Sequence, residues 1–369
     1  MPNPDPYLIE AAARVLDVLE MFRNDGEEFT LHDVAARMGL VKSTAFRLLY
    51  TLEKKHYIEK VSPSRAYRRR RRHRIGFASV SSSIPFAIEI NRSIMAAAAQ
   101  ADMELLMAYN EFNPQRTIAN VDEFLRSGIE LLIEYNPDEH LSHIIADRCS
   151  RAHIPIVGIT FPVPGGTTFG INHYRAGVTG GEAVGQHVAA GWSNRLDAIV
   201  LLDILGSSPT QQARMSGMID GLQRFVPSSK CEMRHLHANR IRGDAGALMI
   251  EFLKEHKRAR RILVLSFNDD NALSALRAIE QAGRAQHVCM LCQGGGTAIR
   301  EELRLAASPL WAAVAHFPER FGPCLMPVVS RILKGDRVPN IVSLDHALLT
   351  RSNLDQYYGS SSRRQNRSA

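Results

Sequence analysis

From residue 75 to about residue 350, short apolar runs alternate with segments of helical periodicity, and this alternation constrains the chain more than any other feature. RIGFASV reads as a strand and IPFAIEINRSIMAAAAQADM as a helix. ELLMAYN is followed by NPQRTIANVDEFLRSG, IELLIEY by NPDEHLSHIIADRCSRA, and IPIVGIT closes a first series. A second opens with AGVTGGEAVGQHVAAGW and DAIVLLDIL, then runs through QQARMSGMIDGLQRF, KCEMRHLHA, ALMIEFLKEHKRA, RRILVLSF and NALSALRAIEQAG to HVCMLCQ. Strands separated by helices at this spacing pair in parallel through right-handed crossovers. Two such series predict an α/β body of two lobes, each a parallel sheet flanked by helices.

The first seventy residues follow a different pattern. YLIEAAARVLDVLEMFR, residues 7–23, places Leu8, Ala12, Val15, Leu19 and Phe22 on one helical stripe. In FTLHDVAARMGL, Thr30 followed by Asp33 makes a capping box, and Gly39 supplies the left-handed residue that ends the short helix. KSTAFRLLYTLEKK then reads as a third helix that buries Phe46, Leu49 and Leu52 and exposes Lys42, Ser43, Thr44 and Arg47. HYIEKVSPSRAYR reads as two short strands around a Ser-Pro-Ser turn. This is the layout of a winged helix-turn-helix, although periodicity alone also allows an αα-hairpin with a solvated charged face. In the first layout, short hydroxyls and a lysine at the start of the third helix approach base edges and phosphates. Arg47, one turn on, reaches a guanine or a phosphate.

AAARVLDVLEMF, FTLHDVAARMGLVKSTAFRLLYTLEKKHYIEK and SRAY resemble the DNA-binding domain of IclR-type transcriptional regulators, with GL-x-KST-x-x-RLL-x-TLE as the most specific core. The resemblance implies a reader over residues 1–67 in which Lys42, Ser43, Thr44 and Arg47 face the major groove and Ser64 and Arg65 sit on the wing. Val41 stands where that family usually has proline, and His56 where it has glycine. IclR-type proteins continue with an effector domain of another fold; this chain does not. Five consecutive arginines, Arg68–Arg72, fill the junction 68–74. We expect a phosphate-contacting strap, with Arg68, Arg69 and Arg70 among the DNA contacts; the alternative is a solvated linker.

In open α/β sheets the ligand crevice lies beyond the carboxyl ends of the strands. The segments there, such as Asn136–Asp138, Thr160–Phe161 and Asn268–Asp270, are small, polar or aromatic, which suits a hydroxylated small molecule. Each has a plainer role open to it: Phe86 as core, Arg214 on a surface helix, Asp270 as the N-cap of the helix that follows. SFNDDNALSALRAIEQAG, QARMSGMIDGL and AHFPERFG are similar to the periplasmic-binding-protein-like sensor domain of LacI-type repressors and ribose-binding-type proteins. That resemblance implies a type I two-lobed domain over 75–350. Lobe 1 would take about 75–172 and 317–338, lobe 2 about 173–316 and 339–350, with a disordered tail at 351–369. It also implies Phe86 as the stacking aromatic, Arg214 as a hydroxyl-binding guanidinium and Asn268 as the second-lobe amide, with Asn136 added from its post-strand place. Gln293 and His316 stand where sugar binders often carry Asp and Gln. Thr160 and Phe161 replace an Asp-Arg pair, and His173 replaces Asn. The implied pocket is less anionic and more aromatic than a pentose site.

Charge supports this division. Residues 1–74 carry 15 Lys/Arg against 10 Asp/Glu, whereas residues 75–350 carry 26 against 27, so a polyanionic partner is expected for the first part only. No run reaches the roughly 18 apolar residues of a membrane span, MPNPDPYLIE lacks the pattern of a signal peptide, and five scattered cysteines do not suggest a disulfide framework. A cytoplasmic protein is expected. Cys289-x-x-Cys292 lies in an apparent buried strand with no second pair to complete a zinc site, and Gly294–Gly296 reads as a strand-to-helix turn rather than a phosphate cradle. No catalytic motif, metal site or cofactor is expected. The chain therefore reads as a ligand-responsive regulator, a repressor by preference, that binds a double-stranded DNA operator and a small-molecule effector as a homodimer. The alternative is an enzyme acting in the interlobe cleft, with His316 and Asp138 as acid and base.

Overall fold

The computed structural model describes residues 7–23, 26–193, 195–204, 206–226, 231–238 and 244–359. The chain divides into two compact units, Met1–Arg72 and His73–Ala369.

In the first unit, helix α1 (Glu10–Glu20), strand β1 (Glu28–Phe29), α2 (Leu31–Arg37) and α3 (Lys42–Lys54) precede the hairpin of β2 (Ile58–Val61) and β3 (Ala66–Arg69). The Thr30–Asp33 capping box forms in full, and Gly39 takes φ +61 between α2 and α3. His56 takes φ +62 after α3, so a non-glycine residue holds the left-handed turn. Its imidazole meets the Arg70 guanidinium at 2.7 Å. The sheet has three strands, since β1 pairs with β3 antiparallel, a pairing too short to show as a sequence pattern. The core gathers Val18, Phe22, Phe29, Val34, Leu49, Leu52, Ile58 and Tyr67. Burial of each large side chain stabilises by about 1.5–3 kcal/mol.

Two sequence expectations are corrected here. Phe46 is 45% exposed, because the inner stripe of α3 runs through Ala45, Leu49 and Leu52 and leaves Phe46 stacked on Tyr50 outside. Leu8 and Ala12 are also exposed; the buried face of α1 is Val15, Val18, Leu19 and Phe22.

The second unit contains two six-stranded sheets. The first runs through β4 (Arg74–Ser79), α4 (Pro85–Gln100), β5 (Glu104–Tyr109), α5 (Pro114–Arg126), β6 (Leu131–Glu134), α6 (Glu139–Arg151), β7 (Ile156–Ile159) and β8 (Thr167–Ile171). The chain then enters the second sheet through α7 (His173–Trp192), β9 (Ala198–Ile204), α8 (Pro209–Gln223), β10 (Glu232–Ala238), α9 (Ala245–Glu255) and β11 (Ile262–Ser266). It continues with α10 (Asp269–Gln281), β12 (Val288–Gly294), α11 (Thr297–Arg304) and β13 (Leu310–Ala315). It returns to the first lobe for α12 (Phe321–Leu333) and β14 (Ile341–Leu344), and ends in the second with β15 (Ala347–Thr350) and α13 (Leu354–Tyr358). The first sheet, ordered β14-β8-β7-β6-β4-β5, is wholly parallel. The second, β10-β9-β11-β12-β13-β15, is parallel except at β15. Helices cover both faces of each, so central strands such as Ile262–Ser266 are buried throughout.

Several boundaries differ from expectation. Ile341–Leu344 pairs with β8 and belongs to lobe 1, so the third crossing between lobes falls at 345–346. Arg68 and Arg69 lie within β3 and Arg74 begins β4, which shortens the arginine junction. Residues 351–359 include a helix whose Leu354 is buried in the lobe 2 core; the rest of the expected disordered tail, 360–369, lies outside the described residues. No helix among the described residues is long and apolar enough to cross a membrane.

Candidate functional site

On the first unit, Lys42, Ser43 and Arg47 are exposed along one face of α3, and Thr44 is half-buried. Ser64 and Arg65 form the β2–β3 turn, where Arg65 has φ +54 and the Ser64 hydroxyl donates to Val61 O at 3.2 Å. Arg68 is held by Glu59 at 2.7 Å, and the Arg70 backbone donates to Tyr57 O. The first residues of the arginine run are thus part of the wing.

In the second unit, residues just after the strands of both sheets enclose a cavity of about 130 Å³. That is room for roughly ten water-sized sites, the size of a five- or six-carbon polyol. Of the expected ligand residues, Phe86, Thr160, Phe161, His173, Arg214, Asn268, Gln293 and His316 all line it. Asn136 does not: it is buried, and its side-chain oxygen accepts the Asp138 N–H. Tyr135 and Pro137, on either side of it, face the cleft instead. Asp138 caps α6 by accepting from His140 and Leu141, and it is not among the residues lining the cavity, whereas His316 is.

Lobe 1 supplies aromatic rings. Phe161 lies between Tyr135 and His173, with ring centroids 6.2 and 6.4 Å away and tilts under 30°. Phe86 meets His316 edge-on at 6.1 Å. Thr160 and Phe112 hold φ +69 and +52 on the cleft wall, where non-glycine residues are strained.

Lobe 2 supplies the polar groups. Arg214, 9% exposed, donates from Nε and Nη2 to His173 Nδ1 at 3.2 and 2.9 Å and from Nη1 to Phe267 O at 2.8 Å. Burial lowers its pKa to about 10, so it stays charged at neutral pH. Burial and then the charge of Arg214 hold His173 well below the usual imidazole range. With Nδ1 accepting, its proton sits on Nε2, which has no partner. Gln293 donates to Ala176 O at 3.2 Å, which orients its Oε1 to accept from His316 Nε2 at 3.0 Å. His316 is neutral too, mainly through burial, and its Nδ1 is left as an acceptor. Asn268, not Asp270, is the N-cap of α10: its oxygen accepts from Asn271 N at 2.9 Å, leaving the amide N–H groups to the cleft.

Asp269 lies in the post-strand segment Asn268–Asp270 marked by the sequence, but the role it takes is not the expected one. Its carboxylate accepts from the Gly295 and Gly296 amides at 3.0 and 2.7 Å, occupying donors that a phosphate would need. Gly294 and Gly295, at φ +137 and +75, permit that wrap. Burial pushes Asp269 up to about 7, against those two amides. Cys289 and Cys292 face opposite sides of β12, one packed with each helical layer, so the pair shares no ligand position. The lobes also touch outside the cavity. Glu89 of α4 accepts from Thr297 N and Oγ1, both at 3.0 Å, and lies 3.6 Å from Arg300, while Thr210 donates to Glu139 at 3.2 Å.

The His173–Arg214 couple depends on a glycine seam that sequence reading passed over. A Cβ on Gly177 would come within 2.2 Å of Arg214 O, on Gly181 within 2.1 Å of Met218 O, and on Gly217 within 2.3 Å of Tyr174 O. Helices α7 and α8 therefore touch backbone to backbone. The signal was the four-residue spacing Gly177, Gly181, Gly185 facing Gly217, Gly221.

Comparison with known proteins agrees with this geometry. Residues 11–62 match the IclR helix-turn-helix domain, and residues 75–336 match the periplasmic binding protein domain. The ribose import binding protein RbsB of Salmonella typhimurium is 24% identical over 259 residues, covering 69% of this chain and 82% of that protein. An ABC transporter solute binding protein from Mycobacterium smegmatis, solved with bound glycerol, superimposes with a TM-score of 0.70 at 18% identity, over 79% of this chain and 98% of its own. The periplasmic binding protein component of a Shewanella arabinose ABC transporter, bound to L-arabinofuranose, gives 0.67 at 20% identity, over 79% and 96%. At these identities the structural likeness carries the fold alone.

Proposed function

Since the chain belongs to the periplasmic binding protein domain family and carries an IclR helix-turn-helix domain ahead of that match, we propose that it is a ligand-responsive transcriptional regulator. It binds operator DNA through the first unit and a sugar or sugar-like molecule between the lobes of the second. The observation that carries this is the union in one chain of an exposed Lys42–Ser43–Arg47 helix face with an aromatic-and-polar cleft between two lobes. Sugar-binding relatives support the class of ligand.

In this mechanism Lys42, Ser43, Thr44 and Arg47 read the major groove. Ser64, Arg65 and the arginines Arg68, Arg69 and Arg70 contact the backbone. The protein acts as a cytoplasmic homodimer and a repressor, its two readers about one helical turn apart on a near-palindromic site. Phe86, Thr160, Phe161, His173, Arg214, Asn268, Gln293 and His316 hold the ligand. The effector shifts the balance only through different affinities for the open and closed lobes, and the Glu89–Thr297 and Thr210–Glu139 contacts join the two lobes.

The test is a mobility shift on the duplex that wild-type protein selects from a random library. Lys42→Ala and Arg47→Ala should each weaken binding by about 1–3 kcal/mol, and neutralising Arg68–Arg72 should flatten the salt slope without changing base preference. Undiminished binding by the α3 variants would reject the reader.

A further inference from the structure

Arg214 is a buried cation with neutral partners. Its hydrogen bonds go to an imidazole nitrogen and a backbone carbonyl, and it forms no ion pair among the described residues. Buried charges are ordinarily paired, because desolvation otherwise goes uncompensated. A guanidinium has five N–H donors; three are engaged by His173 and Phe267, which leaves two. The adjacent His173 adds an Nε2–H that is buried and unpartnered, on a ring that lines the cleft. Three uncommitted donors and one positive charge without an ion pair therefore meet at the junction of α7 and α8.

We infer that the effector is a monoanionic polyhydroxy acid, a sugar acid, whose carboxylate is received by Arg214 and His173. The inference rests on the sensor function proposed above and goes beyond it in naming the charge. A carboxylate supplies the paired acceptors that a guanidinium edge fits, and charge-assisted bonds of this kind are about twice as strong as neutral ones.

The rest of the wall decides against a phosphate. Arg214 is the lone Lys or Arg lining the cavity among the described residues, while Asp269 and Asp270 also line it. Asp269 forms no ion pair with Arg214 and acts on it only as a nearby charge, since its two oxygens are held by the Gly295 and Gly296 amides. A dianion would face one cation and two carboxyl groups. A single carboxylate on a hydroxylated chain places its charge on Arg214 and its hydroxyls on Asn268 and on His316 Nδ1, which is free to accept.

Titration calorimetry on the full chain would compare three aldonates (ribonate, arabinonate and gluconate) with the alditols of the same skeletons and with the matching sugar phosphates. At least one aldonate should bind at least 100-fold tighter than its alditol, and Arg214→Met should remove that preference while circular dichroism shows an intact fold. Because the ligand series on wild-type protein decides the matter, a misfolded variant would not rescue the idea. An alditol bound as tightly as its acid, or a sugar phosphate bound more tightly, overturns the carboxylate inference and leaves the sensor function standing. Silence across all three series overturns both.

Discussion

The two walls of the cleft rest on the same architecture, a parallel sheet between helices, yet they offer a ligand opposite chemistry. Lobe 1 presents the rings of Phe86, Tyr135 and Phe161, of which the two phenylalanines pack without needing a hydrogen-bond partner. Lobe 2 presents Arg214, His173, Gln293 and His316, each fixed by a bond that sets which atom donates and which accepts. The difference arises at the last residues of the strands, the turns after them and the helices that follow. A flat apolar surface opposite a directional polar one orients a molecule that has a carbon face and a hydroxyl edge. It also divides the costs: the lobe 1 wall tolerates an empty cavity, whereas the lobe 2 wall leaves buried polar atoms unsatisfied until something fills it.

The sharpest way to break this contrast is to move the polar wall without touching a polar residue. Gly177→Ala gains intrinsic helix propensity, but its new Cβ collides with Arg214 O. We expect a net loss of about 1–3 kcal/mol, read as a lowered melting temperature, together with loss of any ligand-induced stabilisation. An unchanged melt would mean that the seam does not set the spacing. A second, smaller effect probes lobe 1 behind its aromatic face. Burial pushes the Glu134 carboxyl up to about 8, against a 3.0 Å bond from Asn110, and its Oε2 has no partner. Because the folded value lies above the usual 4.5, the protonated form favours folding. Stability from this group is therefore complete below about pH 4.5 and is lost as pH rises through 8. Glu134→Gln should lie close to wild type at pH 5 and gain on it by several kcal/mol by pH 8 in paired thermal melts; parallel pH profiles would refute it. The smallest effect concerns the contact between the walls. Glu89→Gln keeps an acceptor for Thr297 and removes the charge facing Arg300. Ligand affinity should fall only a few-fold, because a partly exposed pair contributes about 0.2–1 kcal/mol and closure affects affinity through the population of the closed form. A hundredfold loss would move Glu89 into the binding wall.

Legibility in the sequence followed the range of the signal. The strand–helix alternation and the Thr30–Asp33 box are local patterns with one physical solution, and both the lobes and the α2 cap are found in the structure. Phe46 was misjudged because two neighbouring helical phases were both apolar, and only packing against α1 and the small sheet selects Ala45. The cleft residues were legible where a strand end pointed to them, as with Thr160, Phe161 and Gln293. Asn136 failed because the chain turns it inward to bond Asp138. Asp269 and Glu89 depend on partners 26 and 208 residues away, a distance at which no sequence period speaks. The return of Ile341–Leu344 to lobe 1 was hidden for the same reason: its pairing with β8 spans the whole second lobe.

The glycine seam has one more consequence. Most helix pairs meet through side chains, which can rotate and absorb a small push. α7 and α8 meet through main chain, where nothing can rotate out of the way. With 20 residues α7 is about 30 Å long, a stiff rod with His173 at one end and Trp192 at the other. A displacement at Arg214 would be handed directly to the α7 main chain, so the seam acts as a gear tooth as well as a spacer.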